Sequence, residues 1–87
     1  MPGKMRILYF AWLREKIGLG EEVATLPPEA ATPRAVIAWL RQRGGGYAAA
    51  FTNEAIIRCA VAQEFCGLDT PLGNADEIAF FPPVTGG

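Results

Sequence analysis

The sequence predicts an α+β fold in which a mixed sheet is covered on one face by a single main helix. Three observations carry this reading. Segments with strand-like alternation stand near both ends, at Met5–Leu13 and Glu77–Phe81, whereas Pro33–Arg43 has its apolar residues at helical spacing. The order of segments, strand, strand, helix, strand, short strand, strand, leaves one helix to cover one sheet face. At 87 residues, 51% hydrophobic and 20% charged, the chain has the composition of one small folded domain rather than of a disordered segment.

In Met5–Leu13 the residues Met5, Ile7, Tyr9, Ala11 and Leu13 share one face, and Arg6 marks the face it shares with Leu8, Phe10 and Trp12 as the outer one. Arg14–Gly20 carries turn-forming glycines, and Glu21–Leu26 follows as a shorter strand, so the two strands are expected to form a hairpin. Pro27-Pro28-Glu29 breaks the pattern. Thr32-Pro33 then reads as a helix start, a hydroxyl to satisfy free N–H groups followed by proline at the first helical position. From Pro33 to about Arg43, Val36, Ile37 and Leu40 lie on one side and Arg34 and Arg41 on the other, with Gly44-Gly45-Gly46 as the stop. Trp39 falls at the margin of the apolar side as a core-edge residue, a cofactor platform being the alternative, and Arg41 and Arg43 read as a solvated face.

Tyr47–Phe51 reads as a short helical turn with Tyr47 and Phe51 four apart. Ile56–Ala62 is a strand with Ile57, Cys59 and Val61 inward. After a tight turn near Ala62-Gln63 the chain returns through Phe65 and Cys66. A loop over Asp69–Asp76 leads to the last strand, Glu77–Phe81, in which Ile78 and Phe80 alternate with Ala79 and Phe81. The arrangement is that of a ubiquitin-like β-grasp, with the folded domain over residues 1–81 and an extended tail over 82–87.

Composition narrows the function. With no His and no Ser, the chain cannot assemble a Ser-His-Asp or Cys-His nucleophile, and the two cysteines, Cys59 and Cys66, cannot fill a structural zinc site. Both read as buried thiols rather than a disulfide framework. Gly18-Leu19-Gly20-Glu21-Glu22-Val23 begins like a dinucleotide loop but lacks the third glycine and sets two carboxylates where phosphate would sit. The eight basic residues are scattered, the net charge is −1, and no basic tract suggests nucleic acid. The longest apolar run, Ile7–Leu13, is too short to span a membrane, and no A-x-A-like cleavage site follows it, so a cytoplasmic protein without a membrane anchor is expected.

The tail offers the chemistry. Pro82 and Pro83 withhold two backbone donors, so the last strand cannot continue through them and the chain must leave the sheet. Proline pairs favour a stiff extended path, and the stretch to Gly87 reaches up to ~20 Å. Gly86 and Gly87 have no Cβ, which suits a narrow channel and leaves the terminal acyl carbon open to attack. Beside the exit, the outer sheet face would carry Leu8, Phe10 and Phe81, with Phe65 near them and Arg6, Arg14, Arg58 and Glu77 at the rim. Such a contiguous apolar patch reads as a protein-binding surface, the alternative being an inverted face assignment.

The run Asp76-Glu77-Ile78-Ala79-Phe80-Phe81-Pro82-Pro83-Val84-Thr85-Gly86-Gly87 resembles the C-terminus of the small, sulfur-carrying subunits of molybdopterin synthase, a ubiquitin-fold family. Phe10-Ala11-Trp12-Leu13-Arg14-Glu15 and Asp69-Thr70-Pro71-Leu72 extend the similarity, while Ala62 stands where an asparagine is common. The resemblance implies that an E1-like enzyme uses ATP to adenylate Gly87, that a thiocarboxylate follows, and that its sulfur goes to cyclic pyranopterin monophosphate in the synthase large subunit. It implies a partner-binding role for Phe10, Arg14, Phe65, Phe81, Pro82, Pro83, Val84 and Thr85, with Gly86 and Gly87 entering the partner's active site. The pterin-binding and acid–base groups would then be the partner's, with no cofactor or metal bound by this chain. A related carrier for thiamin or cysteine synthesis, a ubiquitin-like modifier joined to lysines through Gly87, and a plain interaction module are the competing readings.

Overall fold

Met5, Ile7 and Tyr9 are buried while Lys4 and Arg6 face outward, the alternation of a strand with one side in a core. This strand, β1 (Lys4–Tyr9), is the first element of the computed structural model, which describes residues 4–83. After it come α1 (Trp12–Ile17), β2 (Glu21–Thr25), α2 (Pro33–Arg41), α3 (Gly45–Ala50), a 3₁₀ turn at Glu54–Ile56, β3 (Arg58–Val61), β4 (Glu64–Cys66) and β5 (Glu77–Phe81). The five strands lie in the order β2-β1-β5-β3-β4, with β1 and β5 parallel and the other pairs antiparallel. The mixed sheet and the β-grasp are therefore as expected.

The expected first strand overruns. It ends at Tyr9, and Phe10–Leu13, read as its continuation, bends into α1 through Ala11, a non-glycine residue at φ 56°. An unbroken apolar run does not distinguish strand from helix. The helical signal was the four-residue spacing of Leu13 and Ile17 with Gly18 after it, and Gly18 takes the left-handed cap position at φ 91°, its N–H donating to the Arg14 carbonyl at 2.8 Å. Hence β1 and β2 pair as expected, Met5 opposite Ala24, but a helix rather than a turn joins them.

In α2, Thr32 Oγ1 accepts from the Ala35 N–H at 3.2 Å and Pro33 occupies the first turn, as its sequence predicts. Val36, Ile37 and Leu40 are fully buried. The helix ends two residues before the expected Arg43, and the glycine triplet does more than stop it. Gly44 at φ 75° turns the chain into α3, and a Cβ on Gly46 would lie 2.1 Å from the Lys16 carbonyl oxygen, so α1 and α3 meet backbone to backbone there.

The strand expected over Ile56–Ala62 is confined to Arg58–Val61, with Ile57 and Cys59 buried and Val61 half-buried. Ala62 and Gln63 both have positive φ, 50° and 70°, the demand of a type I′ hairpin turn made here without glycine or asparagine. The core closes around Tyr9, Phe51 and Phe80, with ring centroids 6.4 Å apart for Tyr9–Phe51 and 5.3 Å for Phe51–Phe80. No helix among the described residues is long and apolar enough to cross a membrane.

Candidate functional site

β5 is hydrogen-bonded on both flanks, and the pleat turns Ile78 and Phe80 inward while Glu77, Ala79 and Phe81 face the other way. The registers then build the outer face row by row. Leu8 opposes Ala79, Ala79 opposes Ala60, and Ala60 opposes Phe65, so two small residues form the floor between larger ones. One step along, Phe81 opposes Arg58, and its ring meets Phe65 edge to face at 5.5 Å. Phe10, just beyond β1, is tied in by its N–H donating to the Phe80 carbonyl at 3.1 Å. Phe65 is 83% exposed and Phe10 46%, while Leu8 and Phe81 are half-buried. The face assignment made from alternation holds for Leu8 and Phe81 within their strands, whereas Phe10 lies beyond β1 and Trp12, expected on the same outer face, packs against the core from α1.

The rim is partly committed to internal contacts. Arg6 pairs with Glu21 at 3.2 Å and Glu77 at 3.8 Å, and Arg58 donates to the carbonyls of Ala55 and Ile57 at 3.0 and 3.2 Å. Arg14 is exposed on α1, so the helix missed in the sequence is what presents it. Pro82 and Pro83 are half-buried where the chain leaves β5 at Phe81. Val84, Thr85, Gly86 and Gly87, and with them the expected extended path of the tail, lie outside the described residues.

Arg41 and Arg43 are not the solvated face expected from α2. Arg41 donates to the Phe51 carbonyl at 3.0 Å and pairs with Glu54 at 3.3 Å. Arg43 pairs with Glu22 at 2.8 Å and lies over the rings of Trp39 and Tyr47, 4.6 and 5.1 Å from their centroids. Glu22 also accepts from the hydroxyls of Tyr9 at 2.7 Å and Tyr47 at 2.5 Å. Partial burial pushes the Glu22 carboxyl up, but the hydrogen bonds from Tyr47, Arg43 and Tyr9 outweigh it and hold the group below the usual carboxylate range. Trp39 is thereby a packing platform for Arg43. Among the described residues, no group of three or more His, Cys, Asp or Glu side chains could hold a metal ion.

Among the described residues, exposed aromatic rings adjoin the end of β5, where Pro82 and Pro83 follow. Comparison with known proteins identifies relatives. The model of the ThiS family matches residues 7–87. The molybdopterin synthase sulfur carrier subunit of Haemophilus influenzae is 40% identical over 83 residues, covering 95% of this chain and 99% of the relative. The subunit of the same name from Escherichia coli is 37% identical over 84 residues, with 95% and 99% covered. Among solved structures, a putative molybdopterin converting factor subunit 1 from Pyrococcus furiosus superposes with a TM-score of 0.70 at 29% identity, covering 93% of this chain and 98% of that one. SAMP1 from Haloferax volcanii superposes at 0.69 and 26% identity, with 98% and 100% covered.

Proposed function

The chain belongs to the ThiS family, and from that premise we propose that it is the sulfur carrier subunit of a molybdopterin synthase. The observation that carries this reading is the junction at Phe81. The central strand ends inside the exposed aromatic patch, and the next residues are the proline pair that opens the tail. A partner that grips Phe10, Phe65 and Phe81 receives the tail at a fixed origin, so docking and delivery become one event.

The chemistry belongs to Gly87. A free carboxylate is a poor acyl donor because its leaving group would be oxide. An E1-like partner transfers AMP from ATP to the terminal oxygen and releases pyrophosphate; a sulfur nucleophile then displaces AMP to leave a thiocarboxylate. In the large subunit that sulfur attacks cyclic pyranopterin monophosphate, water returns Gly87 to the carboxylate, and two such cycles supply both sulfurs of the dithiolene. This chain contributes position and the carried atom, while the acid–base groups and the pterin pocket are the partner's.

The test is a reconstituted conversion assay with chemically thiocarboxylated protein and the large subunit. Deleting Gly87 draws the terminal acyl carbon back by ~3.3 Å and is expected to abolish transfer, since reacting atoms must be held near contact distance. The melting curve should be unchanged, because among the described residues the core runs from Met5 to Phe80. Full transfer by the truncated protein would overturn the carrier role.

A further inference from the structure

We propose that Cys59 and Cys66 form a redox-modifiable dithiol, closed by a peroxide to a cross-strand disulfide that pins edge strand β4 to β3. The two residues are direct register partners, and their sulfurs lie 3.8 Å apart as free thiols. Residues opposed in an antiparallel ladder have Cα atoms ~4.5–5.5 Å apart. A disulfide spans ~4.4–6.8 Å, so opposed ladder positions fall within the range it bridges. The sulfur-carrier chemistry, which runs through Gly87, uses neither thiol.

The two sulfurs are placed unequally. Cys59 is buried, its S–H is positioned to donate to the Cys66 carbonyl at 3.4 Å, and burial holds that thiol protonated far above its ordinary range. Cys66 is half-buried and lines an open groove with Arg34, Glu54, Arg58 and Leu68, wide enough for a small oxidant. Cys66 is therefore the attacking sulfur and Cys59 the resolving one. The Cys66 thiolate attacks a peroxide oxygen, the O–O bond breaks, and the alcohol or water derived from the other oxygen leaves. The Cys59 sulfur then attacks the Cys66 sulfenic acid, and hydroxide departs with the Cys59 proton as water. Two thiols and one peroxide give one disulfide, one alcohol or water, and a second water; two electrons pass from the sulfurs to the peroxide.

β4 has three residues and, among the described residues, pairs only with β3, so it is the strand whose opening a covalent tie would suppress. The reduced full-length protein should be treated with hydrogen peroxide in slight excess, quenched with iodoacetamide and weighed intact. The expected product has lost two hydrogens, takes up no iodoacetamide and is restored by dithiothreitol. With dimedone present during oxidation, native protein should form at least about tenfold more disulfide relative to trapped sulfenic acid than protein in urea, because the fold holds the sulfurs together for the second step. Cys59→Ala should stop at a Cys66 sulfenic acid that dimedone traps, and Cys66→Ala should leave Cys59 unoxidised. Hydrogen exchange at Phe65 and Cys66 should slow in the oxidised protein. Oxygen addition without loss of two hydrogens, disulfide-linked dimers, or a native ratio of disulfide to trapped sulfenic acid no higher than the denatured one would overturn the dithiol; unchanged exchange would overturn the pinning.

Discussion

On the helix side of the sheet, Tyr9, Phe51 and Phe80 pack with tilted and edge-to-face rings and almost no exposure, whereas Phe10 and Phe65 hold the same kind of ring in water and Phe81 lies half-buried beside Phe65. Phe80 and Phe81 are neighbours in sequence and chemically identical. The pleat alone sends one into the core and the other to the outer face, and a one-residue slip of β5 would exchange them. The thickness of a single sheet separates a buried ring from one that water reaches.

The most direct way to break this comparison is to remove each ring in turn. Phe80→Ala should cost ~3–5 kcal/mol of folding stability by leaving a cavity against Phe51. Urea melts would measure it, and a cost near that of Phe81→Ala would dissolve the distinction. Gly46→Ala tests the helix side from the backbone. The added Cβ falls 2.1 Å from the Lys16 carbonyl oxygen, so α1 and α3 must separate, for a loss of at least ~1–3 kcal/mol in the same melts. Phe81→Ala should instead weaken binding of the synthase large subunit by more than ~1 kcal/mol while disturbing stability less than Phe80→Ala does, as calorimetric titration would record. The smallest effect concerns Glu22. Because its folded-state pKa is depressed, its contribution is present above the unfolded value of about 4.3 and is lost as pH falls through the folded value. Glu22→Gln should therefore lower the melting temperature at neutral pH and flatten the acid limb of the stability profile, leaving affinity for the large subunit unchanged.

The elements that the sequence announces are those whose signal is local. β5 matches its expected bounds, and α2 starts where Thr32-Pro33 places it, because alternation and capping are written in adjacent residues. The outward placement of Leu8 and Phe81 was readable for the same reason, since it follows from strand parity, whereas Phe10 lies past the end of β1. What stayed hidden depends on partners far along the chain. Arg43 finds Glu22 from 21 residues away, and nothing in Gly44-Gly45-Gly46 reveals that the third glycine must admit the backbone of α1. The α1 error had a different cause, a run of apolar residues in which strand and helix patterns coincide. Ala60 and Ala79, the floor of the candidate site, were passed over because small residues carry little pattern of their own.

The position of β5 between β1 and β3 also decides how the molecule answers to mechanical load. A partner that draws on the C-terminal tail pulls along the axis of a strand clamped on both flanks. The ladder bonds to β1 and β3 then bear the tension side by side, in shear, instead of peeling open one after another as they would at an edge. The edge positions, where unzipping would begin, belong to β2 and β4, which carry no tail. A load applied at the C-terminal end of β5 would thus be taken up where the strand is clamped on both flanks.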